Sequence, residues 1–170
     1  MAIVAGDIQR RLSGGAGNAD PNAALGGVIS STAITDATLH NLFDLTSGDE
    51  AAAGRTEYRH FYFRNNHGTL TYTNSVVWIG TNTPASGDTI DIALQDEAVD
   101  VTAETIANET TAPSGPAFTA PTTKATGLAL GSLPAAGGRR GIWVRRTTTA
   151  GATAYDADSV VIHISGETSA

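Results

Sequence analysis

The residues from Ser13 to Gly27, SGGAGNADPNAALGG, have the composition of a ligand-binding loop. A phosphate-binding P-loop needs a lysine after its last glycine, and Lys124 is the only lysine of the chain. A dinucleotide-binding loop needs a third glycine where Asp20 stands. A calcium-binding repeat needs an aspartate where Ala19 stands, and further copies of itself. The stretch fits none of these templates, and an isolated calcium site built from Asp20 and Asn22 stays an alternative.

The histidines and acidic residues form no pattern typical of catalysis. No histidine lies at zinc-site spacing from another ligand, and the chain contains neither a cysteine nor a G-x-S-x-G motif. Two of the acidic side chains between residues 88 and 100 could act as the pair of catalytic carboxyl groups that glycoside hydrolysis needs. However, Asp91 alternates with Ile90 and Ile92, which is typical of a solvated strand face. We therefore expect a protein that is not an enzyme and that uses no cofactor and no metal.

The basic residues are almost all arginines. Arginine is favoured in interfaces because its planar guanidinium pairs with carboxylates and stacks on aromatic rings. Ordinary salt bridges with the many acids are the alternative interpretation. The net charge of −7 makes nucleic acid a poor partner, because binding phosphates needs a clustered positive surface. Besides Lys124, the basic residues are Arg10, Arg11, Arg55, Arg59, Arg64, Arg139, Arg140, Arg145 and Arg146.

The elements that must position these residues are predicted to be strands. A length of 170 residues suits one domain, and no apolar run approaches the roughly 20 residues of a membrane span. Six to eight short strands with frequent turns predict an all-β fold, an antiparallel β-sandwich that is immunoglobulin-like or jelly-roll-like. The clearest strand segments are TEYRHFYFRNN, TLTYTNSVVWIG, TIDIALQD, GIWVRRT and DSVVIHISG.

Alternation along these strands predicts which side chains face the core. Phe61 and Phe63 are predicted to face it, together with Val77 and Ile79 of the next strand. Trp78 is predicted to face outward or to lie under a neighbouring loop. The other side chains predicted to face outward are Tyr58, Tyr62 and Arg64.

The chain is predicted to have three parts. Residues 1–34 are expected to form an extended N-terminal arm, residues 35–166 the β-sandwich domain, and residues 167–170 a C-terminal tail. Within the domain, residues 49–53 are predicted to form one helical turn that ends at Gly54. The spacing of Leu39, Leu42 and Phe43 gives a weak second helical signal.

Three stretches together resemble a known family. They are DIQRRLSGGAGNADPNAALGGVISST in the predicted arm, SGDEAAAGRTEYR at the start of the first long strand, and IWVRRT near the C-terminal end. They resemble structural proteins of tailed bacteriophages, which are similar to head decoration or cement proteins and of which some are tail components. The resemblance brings no catalytic residues with it.

The resemblance implies a virion protein on the capsid surface, assembled in the host cytoplasm. Its expected partners are the major capsid protein and other copies of itself, as a homo-dimer or homo-trimer, with no nucleic acid and no membrane. A tail or collar component is the first alternative. A carbohydrate-binding host-attachment module, using Tyr72, Trp78, Trp143 and Tyr155, is the second. The predicted partner-binding residues are Ile8, Arg10, Leu12, Asp20, Pro21, Asn22, Leu25, Val28, Ile29, Tyr58, Tyr62, Arg64 and Trp78.

Overall fold

The computed structural model describes residues 2–83, 87–153 and 158–169, and it is nearly all β. The strands are β1 (Ile8–Leu12), β2 (Gly26–Gly27), β3 (Arg55–Asn65), β4 (Tyr72–Thr81), β5 (Asp88–Leu94), β6 (Ala103–Thr105), β7 (Leu128–Leu133), β8 (Arg139–Thr148) and β9 (Val161–Thr168). One four-stranded sheet has the order β1-β3-β8-β5, one three-stranded sheet has the order β7-β4-β9, and β2 pairs with β6. All of these neighbours are antiparallel.

The main hydrophobic core lies between the two larger sheets, so the predicted antiparallel β-sandwich is confirmed. Phe61 and Phe63 enter it from β3, and Val77 and Ile79 enter it from β4, as predicted; all four are at most 3% exposed. Burying each of these side chains contributes roughly 1.5–3 kcal/mol. The same core includes Ile90, Ile92, Leu130, Leu133, Ile142 and Val144.

Helix α1 (Gly48–Ala53) forms where a helical turn was predicted. The Ser47 side chain accepts from the Glu50 N–H while the Glu50 side chain accepts from the Ser47 N–H, which is a capping box. Gly54 ends the helix with φ +76°. The segment with the weaker signal, around Leu42, forms turns and bends instead. Among the described residues, no helix is long and apolar enough to cross a membrane.

A third layer covers part of the outer face of the four-stranded sheet. Strands β2 and β6 and their flanking loops lie over β3 and β8, and they enclose a second cluster that includes Tyr58, Ile106 and Trp143. The Tyr62 hydroxyl donates to the Gly27 carbonyl oxygen (2.7 Å) and accepts from the Ala103 N–H (2.9 Å). This hydroxyl therefore joins both strands of the cover to the sheet beneath.

The predicted boundaries at both ends need correction. Residues 1–34 do not stand apart from the domain, because β1 is a strand of the larger sheet and residues 13–29 belong to the cover. Gly26, with φ +89°, shows why the stretch is rich in glycine: a Cβ there would collide with the Glu104 carbonyl oxygen. The predicted tail, 167–170, begins inside β9, which continues to Thr168.

Candidate functional site

Three arginines and four carboxylates form an ion cluster, defined as Arg55, Arg59, Arg146, Asp44, Glu50, Glu57 and Glu109. Arg59 is fully buried and pairs with Glu109 through its Nη2 atom. Arg146 donates from Nε to Glu57 (2.8 Å) and from Nη1 to the Asp44 carbonyl oxygen (2.8 Å). Each guanidinium reaches more than one chain segment. The ion cluster therefore ties the 43–47 loop and the 108–111 turn to β3 and β8.

The ion cluster also contains a group of carboxylates that resembles a metal site. Oxygen atoms of Asp44, Glu57 and Glu109 lie within 4.8 Å of one another. Each of these carboxylates already lies within salt-bridge distance of a guanidinium. A metal ion would have to displace arginines that are held by several hydrogen bonds, and its charge would repel theirs. The arrangement is therefore that of a structural ion-pair network.

A second set of arginines lines a surface depression of about 480 Å³, which we call the arginine groove. It is defined by Arg11 of β1, Arg64 of β3 and Arg139 of β8. Arg64 and Arg139 are direct cross-strand neighbours, and Gln9 lies opposite Arg64 on the other side. Antiparallel pairing places these residues on the same face of the sheet. The sheet therefore gathers three cations that are far apart in the chain.

The arginines of the groove are not neutralised by the chain. Among the described residues, none of the three lies within salt-bridge distance of a carboxylate. Arg11 donates to the Gln9 amide oxygen (2.7 and 3.1 Å), and Arg64 donates to the Asn66 amide oxygen (3.0 Å). The Arg139 guanidinium lies 5.9 Å from the Tyr62 ring centroid. These neutral partners orient the guanidinium groups. The Asp100 carboxylate accepts from the backbone N–H of Arg139 (2.8 Å) and does not pair with its guanidinium.

The groove occupies the end of the outer face that the cover leaves open. Ile29 and the 30–31 segment form one wall, and the 136–137 turn forms the other. Val28, next to Ile29, is 49% exposed. Of the predicted partner-binding residues, Ile29 and Arg64 line the groove, and Val28 lies beside it.

Tyr58 and Tyr62 were predicted to face outward and to contact a partner. Both point to the outer face of the four-stranded sheet, but neither is exposed. Tyr62 is 0% exposed, and burial raises its pKa. Tyr58 is 9% exposed and packs on Phe118, with a centroid distance of 5.4 Å. Strand alternation predicts on which face of the sheet a side chain lies. Whether that face is shielded from solvent depends on the cover, which packs on it only in the tertiary structure.

Three apolar residues of the predicted arm also pack within this chain. Leu12 is 2% exposed in the main core, and Ile8 packs against that core. Leu25 packs against the second cluster, beneath the cover. Leu12 is therefore buried within its own chain, whereas Ile8 and Leu25 are half-buried, and their role as partner contacts stays a prediction.

The Asp20-Pro21-Asn22 turn is built into the domain as well. The Asp20 side chain accepts from the Asn22 N–H (2.9 Å) and caps the short helical turn Pro21–Ala23. The Asn22 amide oxygen accepts from Arg59 (3.1 Å). A guanidinium thus takes the oxygen that the alternative calcium site would need.

The remaining predicted contacts have partners on the surface of this chain. Arg10 forms a salt bridge with Asp36 (2.8 Å). Trp78 is half-buried and stacks on His163, with a centroid distance of 5.3 Å. Of the other aromatic residues proposed to stack on sugars, Trp143 is 0% and Tyr72 is 9% exposed, so they form no sugar-stacking surface. Tyr155 lies outside the described residues.

His60 is a buried titratable side chain between the groove and the second cluster. It is fully buried, and its ring lies 4.7 Å from the Tyr62 ring and 4.8 Å from the Trp143 ring, centroid to centroid. Burial lowers its pKa to about 3, and the nearby Gln95 side chain opposes this shift only in part. His60 is therefore neutral at physiological pH.

A larger cleft of about 600 Å³ lies beside the 36–48 segment. Its floor includes Phe61, Ile90 and Ile162 of the main core, and Arg146 belongs to its wall. Arg146 is already paired within the ion cluster. The positive charge of Arg146 is therefore already balanced and does not attract a ligand to this cleft.

Comparison of the chain with family models, curated proteins and solved structures finds no match. The site is therefore defined by its own geometry. The predicted partner-binding residues include Ile29 and Arg64 of the arginine groove but not Arg11 or Arg139. The double arginines Arg10-Arg11 and Arg139-Arg140 were the available signal. Arg10 forms a salt bridge with Asp36, whereas in the described residues neither guanidinium of Arg139-Arg140 lies within salt-bridge distance of a carboxylate.

Proposed function

We propose that this chain is a non-enzymatic structural protein of a tailed-phage virion that decorates the capsid by binding the major capsid protein lattice. The three stretches that resemble phage structural proteins support the phage context. The observation that carries the binding role is the arginine groove. Its three guanidinium groups have no carboxylate partner in the described chain, although the chain as a whole has a net charge of −7.

The groove favours a partner that presents carboxylates. Guanidinium groups pair with Asp and Glu side chains in two-pronged hydrogen bonds, which fix orientation as well as adding affinity. The surrounding negative charge disfavours a polyphosphate chain, since such a ligand extends well beyond the groove. A compact acidic patch on a folded protein meets both conditions.

A repeating shell would amplify contacts of this kind. One groove of three arginines offers modest affinity, because exposed ion pairs are each worth about 0–1 kcal/mol. When several copies are linked and bind the same lattice, each further contact becomes intramolecular, and the overall affinity rises steeply. Decoration of a capsid therefore needs no deep pocket.

Co-sedimentation with purified capsid shells that lack this protein tests the proposal. Wild-type protein should bind the shells, and its affinity should fall as salt rises. Arg64→Glu combined with Arg139→Glu should lower the affinity at least about tenfold, through two like-charge contacts. Lys124→Glu is the control for a change of charge, since Lys124 is exposed and lies outside the groove.

Two outcomes would overturn the proposal. Wild-type protein that binds purified tails and not shells would make it a tail component. Groove variants that remain folded by circular dichroism and bind shells as tightly as wild type would remove the groove from the interface.

A further inference from the structure

Both edges of the four-stranded sheet are bonded to other segments of the described chain. The outer edge of β1 bonds to the 30–34 segment: the Leu12 N–H donates to the Thr32 carbonyl oxygen (3.1 Å), and the Ile34 N–H donates to that of Arg10 (2.9 Å). The outer edge of β5 bonds to Thr119, which exchanges two hydrogen bonds with Ile92 (2.8 and 2.9 Å). Covered edges prevent pairing with other chains.

In the three-stranded sheet, the two edges differ. On β7, the Arg140 side chain donates to the Leu130 carbonyl oxygen (3.2 Å) and so caps part of the backbone. In the described parts of the chain, β9 pairs with β4 alone, and apart from the Ile3 N–H, which donates to the Thr168 hydroxyl at the end of the strand (3.2 Å), no backbone group of another segment bonds to it. The sequence of β9, VIHISGET, contains neither proline nor lysine, the residues that commonly block exposed edges.

We propose that two copies of this chain pair antiparallel along the free edge of β9, around a two-fold axis at Ser165. The two three-stranded sheets would then form one continuous six-stranded sheet. This surface is separate from the arginine groove, so the proposal does not rest on capsid binding.

Side-chain complementarity along β9 argues for a second copy as the occupant and for this register. His163 and Glu167 are both exposed, and they lie on the same face because they are four residues apart. An axis at Ser165 places His163 of each copy directly opposite Glu167 of the other, so that each imidazole N–H can donate to a carboxylate. Within its own copy, Glu167 accepts from the Asn74 side chain through Oε2 (2.8 Å), which leaves Oε1 for the imidazole of the other copy. Parallel pairing in register would instead place Glu167 against Glu167, which is unfavourable.

The inner face of β9 is compatible with the same register. Ile162 and Ile164 pack against the main core of their own copy. Around Ser165, Ile164 lies opposite Gly166, and Ile162 lies opposite Thr168. No two large side chains lie opposite each other at the new junction, so the pairing requires no rearrangement of either core.

Sedimentation equilibrium of the whole chain over a range of concentrations gives the first test. We expect a monomer–dimer equilibrium. In parallel, hydrogen exchange should show that amides of residues 161–168 become more protected as the protein concentration rises. A protein that remains monomeric, with β9 protection independent of concentration, would overturn the proposal and leave the edge to a strand of another protein.

Charge exchange tests the register. Glu167→Lys places Lys opposite His163 and should raise the dimer dissociation constant roughly tenfold, since two cross-strand pairs are lost. His163→Glu places Glu opposite Glu167 and should act in the same direction. The double variant places a lysine opposite a glutamate in each pair and should return the constant to within about threefold of wild type.

The control for net charge is Lys124→Glu, which should leave the dimer unchanged. Dimers that form without responding to either single charge change, or whose protection appears away from β9, would place the interface elsewhere and refute the proposal.

Discussion

The ion cluster and the arginine groove lie at opposite ends of the same two strands. Arg59 and Arg146 project from one end of β3 and β8 toward the inner face, whereas Arg64 and Arg139 project from the other end toward the outer face. The residue type is the same in both regions. Carboxylates surround the first pair, and neutral groups surround the second.

This difference shows what burial demands of a charge. A buried guanidinium without a counter-charge costs several kcal/mol, so the interior of the protein keeps Arg59 only together with its carboxylates. At the surface, water solvates the charge, and a partner is optional. An arginine without a carboxylate partner is therefore tolerated where water reaches its guanidinium. His60 extends the rule, since it is buried without a carboxylate and is neutral.

The largest effect should come from forcing a charge onto His60 by acid. Its pKa is about 3 in the folded protein and about 6.5 in the unfolded chain. Between these values the unfolded state binds more protons, so the folded state loses stability as the pH falls from about 6.5 to about 3. The loss should approach about 5 kcal/mol, at 1.36 kcal/mol per pH unit.

Urea unfolding of wild type and His60→Gln at several pH values measures this loss, because the two proteins differ only at residue 60. The stability advantage of wild type should shrink as the pH falls. An advantage that is constant from pH 7 to pH 4 would show that His60 is not kept neutral by burial.

Truncating an arginine in each region should give the next largest effect and test the comparison directly. Arg59→Met removes a buried charge from its carboxylates and should lower the free energy of unfolding by about 3–5 kcal/mol. Arg64→Met should change it by less than about 0.5 kcal/mol, as is usual for surface sites. Chemical denaturation at pH 7 measures both. Equal losses in the two variants would contradict the division into a structural and a binding cluster.

A smaller effect should follow from releasing the cover that borders the groove. Tyr62→Phe leaves the Gly27 carbonyl and the Ala103 N–H without their bonds to the hydroxyl, at a cost of about 1–3 kcal/mol. The Ala103 amide should also exchange faster with solvent. Tyr72→Phe is the matched control, because the Tyr72 hydroxyl has no hydrogen bond to the described protein, and it should cost less than about 0.5 kcal/mol. Unchanged exchange at Ala103 would show that the hydroxyl does not hold the cover.

The strands of the fold were largely predictable from the sequence. Alternation in β3 and β4 placed Phe61, Phe63, Val77 and Ile79 in the core, and the Ser47-Gly48-Asp49-Glu50 start and Gly54 end of α1 were recognisable. These signals are local, because strand alternation and helix capping involve residues within a few positions of one another. The prediction of a separate N-terminal arm was wrong because the structure of this segment depends on a long-range contact. Its pairing with β3 joins residues more than 45 positions apart.

The sequence by itself determined an all-β chain with no disulfide, a net negative charge and a supply of arginines. Only the tertiary structure decided which arginines find carboxylates. Glu109 reaches Arg59 across 50 positions of the chain, and Glu57 reaches Arg146 across 89, whereas no carboxylate lies within salt-bridge distance of the Arg64 or Arg139 guanidinium in the described residues. Charges interact through distance in space, and strand pairing, rather than position in the chain, sets that distance.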